Sequence, residues 1–165
     1  MTRLQALALL LASLMIVARA PKVLAAPSPS PPCGVGGGPT FTAFASLPPS
    51  VSLGLMRHFV PGTPDARLVG MESRAVARRD ASWQAGDVMS PGPAPPGRRF
   101  ILGAQSGDRL LVWYESGGIA HMYHLAVFNR RGGAWSLSRH LAEGSLPALC
   151  RRLDGNGASA YDQYW

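Results

Sequence analysis

The second half of the chain alternates short apolar runs with turns that contain glycine. Short β-rich runs joined by such turns are typical of an antiparallel meander, in which each strand pairs with the next one. The pattern predicts four strands, over residues 100–105, 110–115, 119–129 and 134–139.

A helical period marks residues 48–60. Val51, Leu55 and Phe59 recur at intervals of four, which places them on one face of a helix. Two prolines open the segment, where proline suits the first helical turn, and a Pro-Gly pair ends it. A shorter helix is predicted from Ser145 through Leu153 by the same signals.

The middle of the chain has a weaker pattern. We expect a strand within residues 66–76 and a second short element within residues 81–88. Residues 90–97 (SPGPAPPG) form a loop, because successive prolines remove the backbone donors that a strand needs.

Two-residue turns would set the registers of the sheet. Leu102 then lies opposite Trp113, and Tyr114 lies opposite His121. Since side chains alternate along a strand, one face becomes the core on which the helix packs. That face carries Phe100, Leu102, Leu111, Trp113, Met122, Phe128, Trp135 and Leu137. A slip of one residue in a turn would exchange the two faces of a strand.

The opposite face is the candidate binding surface. Tyr114, His121 and Tyr123 would lie close together there, and each combines an apolar ring with a polar tip. Their neighbours on this face are apolar: Ile101, Val112, Leu125 and Val127. The simpler interpretation is that this face is also buried, because aromatic and β-branched pairs across strands commonly stabilise sheets.

The first 26 residues have the order of a secretory signal peptide. A basic start is followed by an apolar run over residues 4–17 and by small-residue cleavage sites that end at Ala25 or Ala26. The run is shorter than the ~20 residues of a membrane-spanning helix. An uncleaved anchor is the alternative, supported by Arg19 and Lys22. The sequence predicts export to the periplasm or the extracellular space, with no stable membrane span after cleavage.

Residues 27–40 (PSPSPPCGVGGGPT) predict a flexible linker, because proline, serine and glycine dominate the segment. A single folded domain is then expected over residues 41–165. The predicted fold class is α+β: an N-terminal helix packed on a four- to five-stranded antiparallel meander, preceded by the signal peptide and the linker.

Arginine dominates the charge of the chain. The 165 residues include 16 basic and nine acidic ones, a net charge of +7, and cleavage of the signal peptide would leave only arginines as basic residues. Clustered arginine attracts phosphate and carboxylate, so an anionic ligand is one candidate partner. The arginines are dispersed, however, and an exported protein rarely meets nucleic acid, so we expect no nucleic-acid binding.

Two cysteines, Cys33 and Cys150, are present. Export favours a disulfide between them, and two free or intermolecular thiols are the alternative. Their spacing matches neither a redox CxxC motif nor a zinc site. His121 and His124 lie three residues apart, which on a strand directs them to opposite faces. No metal and no cofactor are therefore expected.

Catalytic motifs are missing from the sequence: it contains no G-x-S-x-G, and the glycine run at residues 34–38 lacks the Lys-Ser/Thr of a phosphate loop. We therefore expect a non-catalytic binding or accessory module of the cell envelope, with an envelope protein or an anionic ligand as partner. One alternative is a small hydrolase or isomerase with His121 or His140 as its base. Another is a structural envelope protein that keeps its N-terminal anchor.

Overall fold

The computed structural model describes residues 30–87 and 92–155. The predicted signal peptide and the chain after Gly155 lie outside the described residues. A five-stranded antiparallel sheet, in the order β1-β2-β3-β4-β5, forms the centre of the fold. Its strands are β1 (Thr40–Phe41), β2 (Arg98–Ser106), β3 (Arg109–Ser116), β4 (Met122–Arg131) and β5 (Ala134–Glu143). The antiparallel meander of the predicted α+β class is confirmed.

Within the described residues, four helices accompany the sheet: α1 (Pro49–Phe59), α2 (Asp65–Leu68), α3 (Glu72–Ala75) and α4 (Leu146–Asp154). α1 is the predicted first helix, one residue shorter at each end. The sequence predicted this helix as the N-terminal element, which is wrong. Three short elements precede it: β1 and the 3-10 turns Pro32–Gly34 and Phe44–Ser46. These elements are only two or three residues long, so no period in the sequence marks them.

The residue that the sequence predicts at the start of the second helix caps α4 in the structure. The Ser145 side chain accepts a hydrogen bond from the Ala148 amide, which caps the first turn. Among the helices of residues 30–87 and 92–155, none has both the length and the apolar character needed to cross a membrane.

The middle segment differs from the prediction. Two single-turn helices, α2 and α3, replace the strand expected within residues 66–76. Only Ala77 approaches the sheet as a strand would: its amide donates to the Arg98 carbonyl, and its carbonyl accepts from the Phe100 amide. Helices of one turn are too short to produce a detectable apolar period.

The register of β2 against β3 is as predicted, with Leu102 opposite Trp113. The register of β3 against β4 is not, because Tyr114 lies opposite His124 instead of His121. The connecting loop spans residues 117–121 rather than two glycines, and the pairing shifts by three residues. Since three is odd, every β4 side chain changes face relative to the prediction.

A bulge in β2 moves a second set of side chains. The register shifts between Phe100 and Leu102, so that Phe100 pairs with Tyr114 while Leu102 pairs with Trp113. Phe100 and Leu102 therefore lie on opposite faces of the sheet, not on the single core face that the sequence predicted.

Both faces of the sheet are buried, in agreement with the simpler interpretation of the sequence. α1 packs on one face through Val51, Leu55, Met56 and Phe59. The sheet residues of this core are Phe100, Leu110, Val112, Tyr114, Ala126 and Phe128. The other core contains Leu149 of α4 together with Leu102, Ala104, Leu111, Trp113, Leu125, Val127 and Leu141. The expectation that α1 covers Leu111 and Trp113 is therefore wrong.

Gly54 allows the close contact between α1 and the sheet. Glycine inside a helix costs about 1 kcal/mol relative to alanine. At this position an added Cβ would lie 3.0 Å from the Phe128 ring, closer than ordinary packing permits. The lower helix propensity is therefore offset by a shorter distance between α1 and β4.

A disulfide joins Cys33 to Cys150 of α4, with the two Cα atoms 4.9 Å apart and a sequence separation of 117 positions. Cys33 and Val35 pack against the core on the α4 face. The bond therefore fixes the segment before β1 to the helix that covers this side of the sheet.

Removing the disulfide should lower stability substantially. Closing a loop of ~100 residues restricts the unfolded chain by about 4–5 kcal/mol in the chain-entropy model. We expect the double variant Cys33→Ser/Cys150→Ser to lose several kcal/mol in urea unfolding, and the reduced wild-type protein to behave alike. Equal unfolding midpoints for oxidised and reduced protein would show that the bond contributes nothing.

Candidate functional site

The structure divides the three predicted site residues between two locations. Tyr114 lies beneath α1 and is only 2% exposed. Tyr123 is on the opposite face of the sheet, and the loop before β4 places His121 beside it, with 5.0 Å between the ring centres. The three-residue shift of β4 causes this separation.

His121 and Tyr123 belong to a group of five side chains that we call the aromatic–ionic patch: Trp83, Arg99, Glu115, His121 and Tyr123. The rings of Trp83 and His121 meet edge to face at 5.5 Å. The Arg99 guanidinium lies 4.9 Å from the centre of the Trp83 ring. Tyr123 is directly opposite Glu115 in the pairing of β3 with β4.

A buried carboxylate lies at the centre of the patch. Glu115 is 4% exposed, and its Oε2 accepts from Arg99 Nε at 2.8 Å, with Arg99 Nη2 2.6 Å away. Its Oε1 lies 3.8 Å from His121 Nε2. Because a buried charge needs a partner, Glu115 holds Arg99 beside it. The Arg99 guanidinium in turn lies against the face of the Trp83 ring.

The middle segment is tied to the loop that carries His121. The Gly117 amide donates to the Gly97 carbonyl at 2.9 Å, and the Gln84 amide donates to the Pro96 carbonyl at 3.0 Å. A Cβ on Gly117 would collide with the Gln84 carbonyl oxygen, so only glycine permits this approach. Ile119, two residues before His121, is 99% exposed. The loop between β3 and β4 therefore carries both His121 of the patch and an exposed apolar side chain.

A second group, which we call the imidazole cluster, lies where α1 meets the sheet and consists of five residues: His58, His124, His140, Tyr114 and Ser116. His140 is 4.7 Å from His58 and 5.2 Å from His124 between ring centres. The Tyr114 ring stacks on His124 at 4.6 Å with 5° between the planes. Hydrogen bonds join the Tyr114 hydroxyl to His140 Nε2 at 2.8 Å and the Ser116 hydroxyl to His124 Nε2 at 2.7 Å.

Burial changes the acidity of the cluster. Burial, and after it the electrostatic effects of His140 and Arg98, lower the pKa of His124 to about 3. The pKa of His58 is lowered by burial and then by Arg98, while burial raises the pKa of Tyr114. The folded protein therefore favours the neutral form of these rings.

The hydrogen-bonded pair Ser116 and His124 resembles a nucleophile with its base, but both side chains are buried. A general base works best with a pKa near the working pH, and the pKa of His124 is far below neutrality. Among the described side chains, no group of three or more potential ligands has a geometry suited to a metal ion. The burial of Ser116 and the low pKa of His124 therefore give no support to a catalytic role for this pair.

Sequence reasoning did not identify Trp83, Arg99 and Glu115 as neighbours of His121. Glu115 was the available signal, because an acidic residue inside an apolar strand needs a partner once both faces are buried. The partners come from β2 and from the middle segment, whose approach to the sheet no local pattern predicts.

Tyr114 and Tyr123 provide a matched test of their placement on opposite faces of the sheet. Tyr114→Phe removes a buried hydroxyl that is hydrogen-bonded to His140, and should cost about 1–2 kcal/mol. Tyr123→Phe removes a hydroxyl for which the described residues provide no hydrogen bond, and should change stability by less than about 0.5 kcal/mol. Urea unfolding measures both variants, and equal losses would contradict the placement of Tyr114 under α1.

Titration tests the burial of His124. Because its pKa is lowered in the folded state, its contribution to stability is complete above about pH 6.5 and is lost as the pH falls toward about 3. We expect the NMR signals of this ring to shift near pH 3 for as long as the protein remains folded. A shift of the His124 signals near pH 6.5 in folded protein would contradict its environment.

A scan against protein-family models finds no match for this chain, and searches of curated proteins and of solved structures find no significant similarity. Inferences about its function therefore rest on the geometry of its own residues.

Proposed function

We propose that the protein is a small exported binding module of the cell envelope and that it binds a partner protein through the aromatic–ionic patch and Ile119. The proposal is for a non-catalytic accessory role. The patch retains His121 and Tyr123 of the predicted site and replaces Tyr114 with Trp83, Arg99 and Glu115.

Export is supported by two independent features. The first 26 residues have the composition of a signal peptide. The Cys33–Cys150 disulfide is of the kind that persists in oxidising compartments such as the periplasm or the extracellular space.

The surface chemistry supports a protein as the partner. Tryptophan, tyrosine and arginine are the residues enriched at the energetic centres of protein interfaces. In the patch, these side chains are partly exposed and already ordered by contacts with one another, so binding costs little side-chain entropy.

One observation carries the proposal: Ile119, two residues before His121 of the patch in the loop between β3 and β4, is 99% exposed. The side chain of Ile119 would be buried in an apolar pocket of a partner, and that burial would favour binding. The Arg99–Glu115 pair below holds the surrounding rings in place.

The hydrolase or isomerase alternative has weaker support. His140 lies in the imidazole cluster, where it is bonded to Tyr114 beneath α1. His121 is exposed, but the group beside it, Glu115, is already paired with Arg99. A reactive base needs an accessible substrate site within hydrogen-bond reach.

The alternative of a structural envelope protein requires that residues 1–26 stay attached as an anchor. The intact mass of the native protein distinguishes it from the export proposal, because a cleaved chain lacks those residues. A mass that includes them would favour the anchored form.

The binding site can be tested with two exposed apolar residues. The wild-type protein is used as bait in an envelope extract of the source organism, and captured proteins are quantified by mass spectrometry. Ile119→Ser should reduce capture of the specific partner at least about tenfold, equivalent to about 1.4 kcal/mol. Trp83→Ala should act in the same direction.

Val69→Ser is the matched control. Val69 is also exposed, at 71%, but lies between α2 and α3 and outside the patch. This variant should capture the partner as the wild type does. Equal capture by all variants would place binding elsewhere, and equal losses in Val69→Ser and Ile119→Ser would show non-specific adhesion.

A further inference from the structure

A cavity of about 440 Å³ lies between the start of α1, the 3-10 turn that precedes it and α3. Binding sites for small molecules are typically clefts of ~300–1,000 Å³ that are lined mainly by apolar side chains and contain a few polar groups. This cavity has that size and that kind of lining. No residue of the aromatic–ionic patch or of the imidazole cluster lines it, so it is a separate feature of the molecule.

The apolar part of the cavity wall is held by the core. Phe44, Leu47 and Val76 line the cavity, and all three are buried side chains of the core on which α1 packs. The Phe44 ring meets the Phe100 ring of β2 edge to face, with 6.0 Å between the ring centres. Because the fold already orders these side chains, an apolar ligand would bind them at little cost in side-chain entropy.

Backbone hydrogen bonds fix the part of the wall that follows α3. The Val76 amide donates to the Glu72 carbonyl at 2.8 Å and ends the single turn of α3. The next residue, Ala77, is bonded to β2 through its amide and through its carbonyl. Glu72 and Arg78 therefore lie on either side of a backbone segment that is attached to the sheet.

Two opposite charges line the cavity and are available to a ligand. The Glu72 carboxylate and the Arg78 guanidinium form no ion pair with each other, and neither side chain forms a hydrogen bond or an ion pair with another described residue. A third polar group of the wall, the Ser52 hydroxyl, already donates to the Pro49 carbonyl at 3.1 Å. The cavity therefore combines an apolar wall with one anionic and one cationic group.

We propose that this cavity binds a small zwitterion with an apolar body, the chemistry shared by apolar amino acids and short apolar peptides. The ammonium group of the ligand pairs with Glu72 and its carboxylate with Arg78, while its apolar body contacts the buried side chains of the wall. A ligand with only one of these charges would leave the other protein charge unpaired against an apolar surface, which costs free energy.

NMR titration of the oxidised protein tests the class of ligand. The zwitterionic probes are L-phenylalanine and the dipeptide L-phenylalanyl-L-phenylalanine. Two further probes lack one charge each: N-acetyl-L-phenylalanine has no ammonium group, and L-phenylalanine amide has no carboxylate. We expect saturable shifts of the amide signals of residues 43–52 and 72–78 with a zwitterion, and at least about tenfold weaker binding of both single-charge probes. Tighter binding of either zwitterion supports the proposal and identifies its source as an amino acid or a peptide.

Charge variants assign the two ends of the ligand. Arg78→Gln should abolish the preference for L-phenylalanine over its amide, and Glu72→Gln should abolish the preference for L-phenylalanine over its N-acetyl derivative. Both variants should unfold in urea as the wild type does, because neither side chain has a partner among the described residues. Arg74→Gln is the matched control, since Arg74 is also exposed and lies on α3 but does not line the cavity. Its affinity for L-phenylalanine should stay within about twofold of that of the wild type.

Three results would overturn the proposal. The first is that neither zwitterion gives saturable shifts at about 10 mM. The second is that the single-charge probes bind as tightly as L-phenylalanine, and the third is that Arg74→Gln weakens binding as much as Arg78→Gln. Ile119→Ser should leave the titration unchanged, because Ile119 does not line the cavity. The titration and the capture experiment therefore test the two proposals separately.

Discussion

The arrangement of this protein depends on the parity of one register, that of β3 against β4. Five loop residues rather than two connect these central strands, so Tyr114 meets His124 instead of His121. An odd shift decides which side chains of β4 face α1 and which face α4. It brings His124 into the imidazole cluster and Tyr123 to the aromatic–ionic patch, and the division of polar chemistry between the two faces follows from it.

The two faces are stabilised by different means. On the α4 side, the disulfide and an apolar core hold the helix, and these contacts do not depend on pH within the neutral and mildly acidic range. On the α1 side, stacked imidazoles and a tyrosine occupy space that aliphatic side chains fill elsewhere. Buried polar groups cost free energy unless they are hydrogen-bonded. The Tyr114–His140 and Ser116–His124 bonds offset part of this cost.

Sequence alone predicts the elements whose signals are local. The four-residue spacing of Val51, Leu55 and Phe59 predicts α1, and glycine-containing turns predict the meander. Ser145 before α4 and Pro147 in its first turn mark the start of that helix. Loop length and bulges are not encoded in a period, so the predicted faces of the β4 side chains were wrong, and Phe100 does not share a face with Leu102 as predicted. Of the candidate site, His121 and Tyr123 are adjacent as predicted. Their contacts with Trp83 and Glu115 arise from long-range packing.

The Cys33–Cys150 bond also makes most of the folded chain a covalent ring, from which both ends of the polypeptide extend. The middle segment, with its exposed arginines at positions 78 and 79, belongs to that ring. A protease that cuts an exposed connection there produces two polypeptides, one ending and one beginning at the cut, yet they stay in a single molecule. In an oxidising compartment, the two pieces of such a cleaved form stay covalently joined even when the protein unfolds.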